Sequence, residues 1–248
     1  MKKTIVLFAS FLAMLAFVAT GCWSVKTNVS DGTKGEIKAE AKPVPKNLLN
    51  DHEWVDLGLP SGLRWATCNV GAARPEEYGD YFAWGETSPK DTYSKENYKF
   101  YSDGVTKYCG DERNRKGRVD TLTELQPEDD AATANWGEGW RMPTSDEAGE
   151  LISNCRMEPI QIKGIWVLKF IGPNGNSIII PFADTCVRDR RAGGKDYYAS
   201  CWTSSLRTKD RYWAMVLDLQ RIGNPGELDI KEREIGCTVR PVCLPPQN

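Results

Sequence analysis

Residues 136–155 read WGEGWRMPTSDEAGELISNC. Two tryptophans, Trp136 and Trp140, flank a Gly-Glu-Gly turn, and Pro143 follows. Glu147 then stands three residues after Thr144, the spacing of a capping box. The Thr144 hydroxyl can accept from the Glu147 N–H, and the Glu147 carboxylate can reach back to the Thr144 N–H. The spacing predicts a short helix from near Ser145 to about Asn154. Ala148, Leu151, Ile152 and Cys155 recur at three- and four-residue steps, so one face of that helix turns inward. The sequence around it reads mostly as strand. The expected class is therefore α+β, a β-rich domain built on this helix.

Outward from that stretch, composition narrows the possibilities. The 248 residues suffice for one domain with additional segments, and nine Trp, nine Tyr and seven Phe can fill a sizeable core. A formal net charge of −2 with no long basic run argues against nucleic acid as a partner. The single histidine, His52, would have to serve any Ser-His-Asp or Cys-His mechanism, and no second histidine exists for a zinc cluster. No metal and no cofactor is expected.

Lys2 and Lys3 precede an apolar run over residues 5–19 that is too short for a comfortable membrane span. Ala19-Thr20-Gly21-Cys22 resembles a bacterial lipobox, with Ala19 where Leu is usual. Residues 1–21 are read as a lipoprotein signal peptide and Cys22 as the lipidated N-terminus. Residues 22–51, rich in Lys, Glu, Thr and Gly, are read as that lipid-bearing cysteine and a flexible tether. The folded domain is assigned to 52–243 and a tail to 244–248. The expected location is the outer membrane, lipid-anchored, on its periplasmic or cell-surface side.

Seven cysteines remain beyond Cys22: Cys68, Cys109, Cys155, Cys186, Cys201, Cys237 and Cys243. Export permits disulfides. An odd number leaves at least one thiol unpaired within the chain, and spacing does not choose among the connectivities. Cys-x-x-Cys is absent, which disfavours metal binding and thioredoxin-like chemistry.

Within the domain, residues 53–59 and 63–69 read as a β-hairpin about Pro60-Ser61-Gly62, with His52 exposed at its leading edge. Residues 71–89 carry carboxylates beside aromatics, Glu76, Glu77 and Asp80 with Tyr78, Tyr81, Phe82 and Trp84. Acid–base work on sugars is one reading of them; a loop packed over its own aromatics is the preferred one. Residues 91–118 look like a long surface excursion pinned at Cys109. Residues 127–136 predict a second short helix, with Pro127 at its first position and Glu128, Asp129 and Asp130 at its positive end. These acids lack the calcium-loop pattern and its fixed Gly. Residues 164–171 and 177–182 form a hairpin through Asn174-Gly175. Residues 184–199 read as a loop, 200–205 as a short strand, 212–219 as an alternating strand, 223–229 as a turn and 235–242 as the closing strand.

Six stretches taken together resemble a known family: WVDLGLPSGLRWATCNVGA (54–72), EEYGDYFAWGET (76–87), DDAATANWGEGWRMPTSDE (129–147), GPNGNSIIIP (172–181), CWTSS (201–205) and GCTVRPV (236–242). They are similar to the Fibrobacter succinogenes major paralogous domain, found in surface lipoproteins of Bacteroidota. The resemblance implies a C-type-lectin-like domain: a mixed, twisted antiparallel sheet with two short helices and long loops. It implies that the opening hairpin meets residues 235–242, and that Trp140, Trp202 and Arg240 are framework. A buried Arg240 then needs hydrogen-bonded partners. Cys201 and Cys237 stand where the family carries other residues, which suggests a Cys201–Cys237 bridge between neighbouring strands. Glu158-Pro159-Ile160 replaces the calcium-binding Glu-Pro-Asn of sugar-binding C-type lectins, and Trp-Asn-Asp is missing.

The function expected from this resemblance is a non-enzymatic, surface-displayed binding module for a glycan or protein. Arg190, Arg191, Tyr197, Tyr198, Arg211, Tyr212 and Arg221 are the candidate contacts, since aromatics and Arg concentrate binding energy. The alternatives are a structural or assembly subunit of a surface appendage, or an enzyme like the copper-dependent formylglycine-generating enzymes, using Cys237, Cys243 and Cys201.

Overall fold

The structure, a computed structural model, describes residues 47–110, 120–191, 194 and 196–244, with the side chains of Arg190 and Arg191 outside the description. The expected signal peptide, Cys22 and nearly all of the expected tether lie outside the described residues. Strand far exceeds helix, and the strand pairs within sheets are antiparallel.

In chain order the elements are β1 (Leu48–Leu49), β2 (His52–Asp56), β3 (Arg64–Ala66), α1 (Ala131–Trp136), β4 (Trp140–Arg141) and α2 (Ser145–Asn154). They continue with β5 (Arg156–Ile162), β6 (Ile165–Ile171), β7 (Ser177–Pro181), β8 (Cys186–Val187) and β9 (Arg190–Arg191). The last are β10 (Tyr198–Leu206), β11 (Trp213–Gln220), β12 (Gly226–Glu232) and β13 (Val242–Cys243). One sheet has the order β1-β2-β3-β13-β4, the others β5-β6-β7, β10-β11-β12 and β8-β9. The pairing of β13 with β3 brings the closing segment of the domain against its opening hairpin, the adjacency that the resemblance implied. β1, ahead of His52, belongs to the same sheet: Leu48 pairs with Glu53, and the Trp140 indole donates to the Leu49 carbonyl at 2.9 Å.

α2 forms where the capping box predicted it. Thr144 Oγ1 accepts from Glu147 N at 3.2 Å, and Glu147 Oε2 accepts from Thr144 N at 2.8 Å. Arg141 then grips the same carboxylate with both Nη atoms, at 2.7 and 2.5 Å. α2 packs on the β10-β11-β12 sheet.

That sheet separates two apolar clusters. Trp202, Ala214 and Val216 face one, with Trp84, Tyr108, Trp140 and Cys237. Ala199, Cys201, Leu217 and Leu219 face the other, with Leu57, Trp65, Phe170 and Ile180. Trp65, Trp84, Trp140 and Trp202 are fully buried. Each removes about 150–250 Å² from water, on the order of 4–6 kcal/mol as an upper bound. The β6–β7 connection presses so closely on the Leu57 carbonyl that a Cβ on Gly172 would lie 2.1 Å from it, so only glycine fits.

Several expectations are corrected. Residues 91–118 are not a surface excursion as far as they are described, since Tyr93, Tyr98, Phe100, Val105 and Tyr108 are all buried. Their organiser is Arg233, itself buried, whose Cζ lies 4.7 Å from the Trp84 ring and 5.4 Å from Tyr98. Arg233 donates to Tyr98 Oη at 2.9 Å, to the Arg211 carbonyl at 2.9 Å and to the Lys107 carbonyl at 3.0 Å. Lys99 and Lys107 each place Nζ 2.6 Å from the Asp129 carboxylate, tying the segment to the turn before α1.

The helix predicted over 127–136 is broken into a 3-10 turn, Pro127–Asp129, and α1. Asp130 is the N-cap, accepting from the N–H groups of Ala132 and Thr133. The turn predicted at 223–229 is mostly strand, because Leu228 and Ile230 alternate with Glu227, Asp229 and Lys231 along β12. β5 was not foreseen. It tolerates Pro159 because it lies at the edge of its sheet. Residues 235–242 do not form one strand either. Cys237 exchanges hydrogen bonds with Phe82, Thr238 bridges to Cys201, Val239 accepts from Val70 and Pro241 from Ala66. His52 is partly buried, flat against Trp136 with ring centroids 3.8 Å apart and planes 6° apart.

Arg240 is fully buried and donates to Asn69 Oδ1 at 2.8 Å, to the Ala66 carbonyl at 2.9 Å and to the Thr67 carbonyl at 2.6 Å. These three bonds engage Nε and Nη1, while Nη2 is buried with no hydrogen-bond partner among the described residues.

Candidate functional site

The expected Cys201–Cys237 bridge does not form, and both of these thiols are free. Thr238, not Cys237, is the register partner of Cys201. A one-residue offset reverses the face of a side chain. Cys201 therefore enters one apolar cluster and Cys237 the other. Burial raises both thiols, Cys237 the more strongly.

The seven predicted contact residues do not share one surface. Tyr197, Tyr198 and Arg221 meet at one end of the β10–β11 hairpin, where Arg221 N donates to the Tyr197 carbonyl at 2.9 Å. Arg211 and Tyr212 lie at the other end of β11, roughly 30 Å away at the rise of an extended strand. There Tyr212 and Tyr101 share the Lys95 ammonium, at 5.2 and 5.0 Å. The Arg211 carbonyl serves Arg233, so this group belongs to the clamp on residues 93–108. Arg190 and Arg191 pair with β8 through the backbone.

At the first end, strand alternation sorts the side chains. Tyr198 pairs with Gln220 and Ser200 with Asp218, so these four share a face. They continue the row of Trp202, Ala214 and Val216 outward, from core to solvent. Lys231 of β12 joins them, its Nζ 3.6 Å from Asp218 Oδ1. The result is a trough of about 320 Å³ lined by Asp184, Thr185, Gly194, Tyr198, Ser200, Asp218 and Lys231.

Ser200 Oγ donates to Asp218 Oδ1 at 2.6 Å. Burial raises the Asp218 carboxyl above its ordinary range, outweighing Ser200 and Lys231. At Lys231 burial acts to lower the pKa, but Asp218 and Asp229 outweigh it and hold the ammonium charged. The trough thus pairs a firmly charged cation with a carboxylate ionised at a cost. Asp184 has a structural part: its carboxylate accepts from Thr185 N and Gly194 N, both at 2.7 Å, and holds the loop under Tyr198. A Cβ on Gly194 would sit 2.6 Å from the Tyr198 ring, so the ring lies directly on this backbone.

Tyr198 is 50 % exposed and forms the lip of the trough. The whole array rides on strands and a pinned loop, which keeps it pre-organised. It offers donors and acceptors in a row beside an aromatic ring. Among the described residues no group of three or more His, Cys, Asp or Glu is placed to hold a metal.

A second concavity, about 490 Å³ and mainly apolar, lies between β1, β2 and β4, lined by Leu48, Leu49, Trp54, Trp140 and Leu244 among others. Its few polar groups give no comparable pattern.

Sequence reading found Tyr198 but missed Ser200, Asp218 and Lys231. The available signal was Asp218, a lone acid inside the apolar run of residues 213–219. No helix among the described residues is long and apolar enough to cross a membrane. Compared with known proteins, the chain matches no family model, no curated protein and no solved structure.

Proposed function

We propose that the protein is a lipid-anchored outer-membrane lipoprotein presenting a non-enzymatic, C-type-lectin-like module, and that the module binds carbohydrate in the trough of β10-β11-β12. The observation that carries this reading is the combination of Tyr198 with Ser200, Asp218 and Lys231 on one strand face. A sugar offers hydroxyls that both donate and accept, and a C–H face that rests on an aromatic ring. Asp218 accepts, Lys231 donates, Ser200 does either, and Tyr198 supplies the ring.

The adjoining chain ends, two short helices and long connections agree with the lectin-like reading. The cysteines favour binding over copper-dependent oxidation: Cys201, Cys237 and Cys243 are all buried, which leaves a substrate thiol no approach.

The test is a glycan array probed with the full chain. Carbohydrate binding that falls at least tenfold in Y198A and D218N supports the reading. Binding only to a protein from the outer membrane, with every glycan silent, overturns it. Loss of surface display on Cys22→Ser checks the anchor.

A further inference from the structure

The hairpin end that carries Tyr198 has a second face. Tyr197 lies in the turn just before β10. There it covers the guanidinium of Arg221, with Cζ 3.9 Å from the Tyr197 ring centroid. Trp166 of β6 lies 4.5 Å from the same Cζ, so a strand ring and a turn ring both meet the guanidinium. A half-exposed arginine ordinarily samples many rotamers. This one is restrained by its contacts with the two rings, on a backbone tied to Tyr197.

Two rings against the guanidinium give its N–H edge no conventional acceptor. Among the described residues no carboxylate or carbonyl accepts from the Arg221 side chain, and none of its nitrogens is buried without a partner. The edge therefore meets solvent. By contrast Arg64, Arg141 and Arg156 are all engaged by carboxylates at 2.6 Å or less. The surface around Arg221 is open and apolar, with Tyr197 46 % and Ile222 70 % exposed.

A planar, immobilised fork of N–H donors with no internal anion matches a carboxylate, which accepts two parallel hydrogen bonds from it. We infer that Arg221, held against Tyr197 and Trp166, is the receptor for a carboxylate of the ligand, so that the glycan bound at this hairpin end contains uronic acid. The inference rests on the carbohydrate reading of the neighbouring trough and specifies its ligand class. An oligosaccharide crossing the end of the hairpin meets Tyr198 and the trough on one side and the Arg221 fork on the other.

The experiment measures binding of the full chain to uronic-acid oligomers, to the same oligomers methyl-esterified, and to sulfated oligomers. Esterification removes the charge and leaves the ring hydroxyls in place. The wild-type chain is expected to prefer the free acid at least tenfold over the ester, with the preference weakening as salt rises. R221K, which keeps a cation but loses the fork, is expected to remove most of that preference while its affinity for the ester and its melting temperature stay near wild type. W166F, which keeps a stacking ring, reports on the clamp through a smaller loss.

Equal binding of acid and ester, or an R221K variant that keeps the preference, overturns the carboxylate assignment while leaving carbohydrate binding intact. Preference for the sulfated series over the acid overturns the uronate assignment. Silence with every oligomer, neutral ones included, marks failure of the carbohydrate reading itself.

Discussion

The Cys201 thiol lies 3.3 Å from the Thr238 hydroxyl, and this contact takes the place of a bridge to Cys237. The β-bridge between Cys201 and Thr238 sets the register, and the register sends the two cysteines into different apolar clusters. Two thiols on neighbouring segments are thereby kept apart by the sheet itself.

Thiol labelling follows from this arrangement. Cys68 and Cys186 are partly exposed, while Cys109, Cys155, Cys201, Cys237 and Cys243 are buried. Burial also pushes the thiols of Cys155 and Cys243 up to about 11. In native protein an alkylating reagent should therefore modify Cys68 and Cys186 first, and the buried five only after denaturant is added. Mass spectrometry of tryptic peptides reads the order. A Cys201–Cys237 cross-linked peptide from unstressed protein would contradict the register.

Asp218 should show opposite effects on stability and binding. Burial raises its folded pKa above that of the unfolded chain, so the folded state holds the proton more tightly. Its ionisation therefore costs stability at neutral pH. That cost disappears as pH falls through the folded value toward the ordinary carboxylate range near about 4. D218N keeps an oxygen for Ser200 and carries no charge. It is expected to melt higher than wild type at pH 7, to lose this advantage near pH 4, and to bind glycan poorly at both. Thermal melts at the two pH values check it.

Asp129 and Glu147 carry the opposite sign. Burial works against ionisation at each, but Lys107 and Lys99 outweigh it at Asp129, and Arg141 does so at Glu147. Both carboxyls are held below their unfolded values. Their stabilisation is present above the unfolded pKa and is lost as pH falls through the folded one. Urea midpoints should decline below about pH 4 in wild type and decline less steeply in D129N and E147Q.

Arg240 and Arg233 are buried cations whose removal leaves several carbonyls without donors. R240M and R233M are each expected to cost about 3–5 kcal/mol in urea unfolding. The two should differ in location. R233M frees residues 93–108 for proteolysis because their aromatics close around that guanidinium. R240M loosens the joint between Asn69 and the closing segment.

Thr144→Ala removes one side of the capping box and should cost about 1 kcal/mol, with the helix otherwise intact. Urea melts of the variant measure it.

Local chemistry was legible in the sequence. α2 needed only Thr144, Glu147 and the apolar steps that follow them, and the β6–β7 hairpin needed only Asn174-Gly175 between two apolar runs. In each case the partners lie within a few residues of one another. The adjoining chain ends came from resemblance, not from spacing. Tyr197, Tyr198 and Arg221 stood out as residue types.

Tertiary structure decided the rest. Residues 91–108 look polar along the chain, but their aromatics surround Arg233, more than a hundred residues downstream. The trough exists because register aligns Ser200 with Asp218 and brings Lys231 beside them. The same hairpin holds five of the seven predicted contacts at two distant ends, while Arg190 and Arg191 lie on β9. Periodicity fixes which side chains share a face of one strand, whereas only the pairing of distant strands decides which faces meet.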